Sequence, residues 1–174
     1  MQKNTTKEVF SWIIVIAFAL SVALVVRAFV FTPVAVTGQS MEPTFNHKDK
    51  LVVSKLSDTD RFDIVVFDAP DKDEKYIKRV IGLPGDRVEM KDNQLSVNGE
   101  SYDEPYLKDN ENTDDFTLEE LTGEETVPED SLFVLGDNRS NSKDSRVLGF
   151  ISTDAIIGEA KFQFYPFNEI GTTK

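Results

Sequence analysis

The chain has 174 residues, no cysteine and a formal net charge of -12. The length fits one domain with room for a small appended unit. The lack of cysteine excludes a disulfide framework and thiolate metal sites, and it suits a compartment in which free thiols are oxidised. The acidity argues against nucleic acid as a partner, because phosphate contacts need clustered Lys and Arg. Residues 103–130 carry twelve Asp or Glu and one lysine, Lys108. Nearly all of the net charge therefore belongs to one segment.

Residues 9–26 form an uncharged apolar run, and beyond Arg27 residues 28–31 extend it. About 20 apolar residues cross a bilayer as a helix, and Arg27 can snorkel to the far interface. A cleavable signal peptide has a shorter apolar region, and a buried core helix would show a polar face, so a retained anchor over 9–31 is expected. Lys3 and Lys7 precede the run. The positive-inside tendency then puts residues 1–8 in the cytoplasm and 32–174 outside it.

Thr32 and Pro33 are expected to end the helix, with residues 34–37 extended. Strands are expected over 51–54, 63–67 and 76–81, followed by the turn cluster Gly82-Leu83-Pro84-Gly85-Asp86. Residues 87–90 and 94–97 flank Asp92-Asn93 as a hairpin, with Asn98-Gly99 as a second turn. The acidic segment follows, read as a solvated loop or small subdomain inserted between core strands. Residues 132–135, 155–158 and 161–165 are the last strands. The pattern predicts a mainly β, antiparallel domain behind one N-terminal transmembrane helix.

The only histidine, His47, sits in a polar turn with Asn46, Lys48 and Asp49 and is read as a surface residue. A His-based triad and a conventional zinc site both lack support. Without histidine, a nucleophilic serine needs a lysine whose pKa is lowered by burial. Lys78 shares a strand face with Tyr76 and Val80 by the period of two. An edge lysine in water fits the same local pattern.

Three longer motifs bear on this choice. Gly38-Gln39-Ser40-Met41-Glu42-Pro43-Thr44 resembles the serine box of the type I signal peptidases. Tyr76-Ile77-Lys78-Arg79-Val80-Ile81 with its turn cluster resembles their lysine box. Gly136-Asp137-Asn138-Arg139-Ser140-Asn141-Ser142-Lys143-Asp144-Ser145-Arg146 resembles their third box. The boxes stand in family order behind an anchor, and the likeness fails only across 103–130. The single anchor and short insert look more like Gram-positive members than two-anchor ones.

The resemblance implies a membrane-bound serine endopeptidase that removes signal peptides from secreted preproteins after small residues, of the Ala-x-Ala type, with no cofactor and no metal. Ser40 would be the nucleophile and Lys78 its general base. Ser142 would hydrogen-bond and orient the lysine, and Asp144 with Arg146 would hold the third box beside the dyad. Met41 would line the site. Some members carry a serine hydroxyl as oxyanion donor where this chain has Gly38, so the second donor is unassigned here. Implied partners are signal peptides and membrane lipid. Relatives that share such a dyad but cleave themselves, or that have lost activity and only bind, are the competing readings.

Overall fold

The computed structural model describes residues 5–109 and 111–173. Lys3, half of the basic flank expected before the anchor, lies outside them. Helix α1 runs Thr5–Phe29. At a rise of 1.5 Å per residue it is long enough for a ~30 Å hydrocarbon layer. Its window Glu8–Val25 has mean hydropathy 2.4 and no buried residue. That stretch stands exposed along its whole length, without packing against the rest of the described residues.

The helix ends at Phe29, before Thr32 and Pro33, which lie instead in strand β1, Phe31–Ala35. Proline is tolerated there because β1 is the edge of its sheet and needs no donor on its free side. Next come β2 (Lys50–Ser54), β3 (Ile64–Asp68) and β4 (Lys75–Gly82). Then follow β5 (Val88–Lys91), β6 (Gln94–Val97), β7 (Glu100–Tyr102) and β8 (Phe116–Thr117). The chain closes with β9 (Ser131–Leu135), β10 (Ile151–Ser152), β11 (Ile156–Tyr165) and β12 (Gly171–Thr172). Two short helices, α2 (Leu118–Thr122) and α3 (Ser145–Leu148), join them.

The larger sheet has the order β1-β2-β11-β3-β4-β9-β10, with β12 beside β11, and the smaller one the order β7-β6-β5-β8. The pairings are antiparallel. Asp92-Asn93 and Asn98-Gly99 both take positive φ. This is the geometry of two-residue hairpin turns whose twist matches the flanking strands. Residues 155–158 and 161–165, expected as two strands, fall, apart from Ala155, in the one long strand β11, with register shifts on either side of its centre. Gly158 (φ +155°) makes the join possible. A Cβ there would lie 2.1 Å from the Ser54 carbonyl oxygen.

The acidic segment is more than a solvated loop. Phe116, Leu118 and Val127 are buried against Val88, Met90 and Phe133 between the two sheets. Thr117 and Glu120 form a capping box at the start of α2. The few apolar residues turn inward, and most of the carboxylates stay in water.

Candidate active site

β4 carries Lys78 opposite Val65 of β3. Its side chain is only 3% exposed. Nζ lies 2.8 Å from Ser40 Oγ and 2.9 Å from the Ile77 carbonyl oxygen. The ring of Tyr76 on the same face lies 5.3 Å from Nζ. Burial pushes the Lys78 pKa down to about 8, and the carboxylates of Asp144 and Asp137 oppose that shift. Each carboxylate has its own arginine, so neither acts on Lys78 as an unpaired charge. The edge-strand alternative for Lys78 is thus excluded.

Ser40 sits in the turn after β1, half-buried. The Glu42 N–H donates to the Gln39 carbonyl and the Phe45 N–H to that of Met41. The Ser40 carbonyl accepts from the Asn138 N–H at 3.0 Å, and Gln39 O accepts from the Asn138 side chain. The third box is therefore bonded directly to the serine turn. Gly136 makes the approach possible, because a Cβ on it would sit 2.1 Å from Ser142 Oγ and 2.5 Å from Ser40 O.

Asp144 and Arg146 pair as expected, with Arg146 donating from Nε and Nη2 to the two carboxylate oxygens at 2.9 Å. Asp144 also accepts from the Gly136 N–H at 3.0 Å, and so ties α3 to the end of β9. Two expectations fail. Ser142 Oγ is buried beside Gly136 without a hydrogen-bond partner, and it does not bond Lys78. The Lys78 amine is taken up by Ser40 and the Ile77 carbonyl instead. Met41 is 1% exposed, packs with Phe45, Leu51 and Val53, and is not among the residues that line the cleft. Gly38 has φ +89° and no atom within 4 Å of a Cβ position. Backbone conformation, not close approach, is what favours glycine there. His47 is exposed, and its Nδ1 accepts from the Gly38 N–H at 3.3 Å.

The sequence reading gave no role to Arg79, Asp137 and Thr44. Arg79 and Asp137 form a buried bidentate pair at 2.9 and 2.7 Å, and Thr44 Oγ1 donates to Asp137 at 2.5 Å. The three motifs are joined through this one carboxylate. The available signal was an arginine next to Lys78 within the otherwise apolar stretch from Ile77 to Ile81 of β4.

A cleft of about 890 Å³ opens at Ser40 and Lys78. It is lined by residues 32–38 of β1 and the following turn, by Val66 and by residues 74–78. No group of three or more His, Cys, Asp or Glu side chains suited to a metal occurs among the described residues.

Comparisons with known proteins agree with the motifs. Residues 9–165 match the family described as signal peptidase, peptidase S26. The chain is 43% identical to signal peptidase I of Bacillus licheniformis, over 99% of this chain and 98% of that protein. It is 40% identical to signal peptidase IB of Staphylococcus aureus strain COL, over 94% of this chain and 93% of that protein. A crystal structure of a signal peptidase I from Enterococcus faecalis V583 is similar at a TM-score of 0.55 and 45% identity, covering 59% of this chain and 97% of that one. With its family match nearly end to end, the chain belongs to the type I signal peptidases, serine endopeptidases that remove signal peptides from preproteins.

Proposed function

We propose that Ser40 and Lys78 are the catalytic dyad of this peptidase, and that it cuts after small residues at the outer face of the membrane in which α1 is anchored. The observation that carries this reading is the 2.8 Å contact between Lys78 Nζ and Ser40 Oγ in a buried site. Neutral Lys78 accepts the Ser40 proton as Oγ attacks the scissile carbonyl. The lysine then passes that proton to the leaving amine, and the signal peptide stays esterified to Ser40. Lys78 next takes a proton from water, the hydroxide attacks the ester, and the serine is restored. The Ser40 N–H contributes to the oxyanion site, and Asp144 with Arg146 holds the third box against the dyad.

The substrate adds to the free edge of β1 as a strand. Val34, Val36, Val66 and Ile77 line the cleft there, a surface suited to alanine-sized side chains. α1 crosses the membrane once with its N-terminus inside, and its apolar surface is covered by lipid. Confinement to one surface raises the effective concentration of enzyme over preprotein. Nucleic acid has no part in this reading, and neither a cofactor nor a metal is required.

The test is cleavage of a preprotein bearing an Ala-x-Ala site by the detergent-purified chain, beside Ser40→Ala, with sequencing of the new N-terminus. A cut after the final alanine that is absent in the variant is expected. Equal cleavage by Ser40→Ala would remove Ser40 from the mechanism.

A further inference from the structure

The first part of the acidic segment reaches into the active site's supports by several separate routes. Glu104 pairs with Arg139 through both carboxylate oxygens, at 2.5 and 3.3 Å, and neither side chain has appreciable exposure. Arg139 also meets the buried Thr113 hydroxyl at 3.3 Å and donates from Nε to the Gly136 carbonyl at 3.0 Å. Gly136 is the residue packed against the Ser40 carbonyl. The Tyr106 ring lies 3.9 Å from the Arg79 guanidinium, which holds Asp137 and through it Thr44. The Tyr106 hydroxyl donates to Glu104 at 2.7 Å and so joins the two routes. Glu111 accepts from the Ser140 N–H, and Lys108 reaches Glu42 two residues past the nucleophile.

A purely solvating segment has no reason to bury a carboxylate. Burial works against the charge of Arg139, yet Glu104 holds its pKa above the ordinary value. Removing one partner of such a pair leaves the other charged and unpaired in the interior, so the local backbone has to move. The segment that would move contains Gly136, with only glycine-sized space between it and the nucleophile.

We propose that residues 103–109 and 111–113 form a positioning element of the active site, in which Glu104 and Tyr106 act through Arg139 and Arg79 to fix the turn that presents Ser40. This rests on Ser40 being the nucleophile. Neither residue touches the reacting atoms, so their contribution is to geometry. Displacements of about 1 Å at a reacting group cost on the order of 100-fold in rate.

The experiment compares the full chain in detergent with Glu104→Gln, Tyr106→Ala, Tyr106→Phe, the exposed control Glu129→Gln, and Ser40→Ala, recording kcat, KM and the unfolding temperature of each. Glu104→Gln and Tyr106→Ala are expected to lower kcat roughly 10- to 100-fold with KM within about twofold. Tyr106→Phe keeps the ring over Arg79 and restores most of kcat, and Glu129→Gln behaves as wild type. Wild-type kcat in Glu104→Gln and Tyr106→Ala, with only the unfolding temperature lowered, overturns the proposal. So does a rise in KM alone. Should Glu104→Gln fail to fold, the contrast between Tyr106→Ala and Tyr106→Phe decides by the same criteria. Loss of activity in Ser40→Ala beside full kcat in the segment variants sinks the positioning element only, whereas activity in Ser40→Ala sinks both readings.

Discussion

Replacing Lys78 by methionine is expected to abolish cleavage and, at neutral pH, to remove a cost that the wild-type fold carries. The Lys78 pKa falls from its ordinary 10.5 to about 8 because of burial. At ~1.4 kcal/mol per unit, the charged amine costs the folded state about 3 kcal/mol. The sign follows from proton binding. The unfolded chain holds the proton up to pH 10.5 and the folded chain only up to about 8. Below pH 8 both are protonated and the full cost is present, while between 8 and 10.5 wild-type stability rises as the folded amine is neutral. Methionine has no such dependence. It also forfeits the bonds to Ser40 Oγ and the Ile77 carbonyl, at about 1 kcal/mol each.

The stability of Lys78→Met relative to wild type should therefore change by about 3 kcal/mol between pH 7 and pH 10.5, with the variant favoured at the neutral end. Chemical denaturation followed by circular dichroism in detergent, run at a series of pH values, measures it. A difference that does not change with pH would mean that Lys78 keeps an ordinary pKa, and the general-base assignment would lose its physical footing.

The same pKa sets the pH-rate profile. With only the neutral amine competent, kcat/KM should fall about tenfold per unit below pH 8, to roughly a hundredth of its plateau at pH 6, and a flat profile over that range would contradict a lysine base. Gly136→Ala should cost at least ~100-fold in activity and about 1–3 kcal/mol in stability, since its Cβ would collide with Ser142 Oγ and Ser40 O. Normal kinetics in that variant would show that the contact between the third motif and the serine turn is loose.

The local elements were legible in the sequence because their signals are local. A long uncharged run without a polar face points to a helix by its own length and composition, and Asp92-Asn93 and Asn98-Gly99 fix hairpins through their own tolerance of positive φ. The serine and lysine proposed as nucleophile and base stood out for a different reason, since three ordered motifs resemble those of the family. What the sequence could not supply was proximity. Lys78 and a solvated edge lysine look alike until β3, β9 and the serine turn enclose it. Met41 and Ser142 were misplaced because a motif records which residue is present and not which way its side chain points. The acidic segment was read by its charge, which is additive along the chain. Its role depends on a few side chains, Glu104, Tyr106 and Phe116, that fold inward against residues far away in sequence. Composition determined that this stretch stays largely in water, but only tertiary packing decided that two of its side chains brace the arginines behind Ser40. Burial and pairing are properties of the assembled interior and not of any stretch of chain.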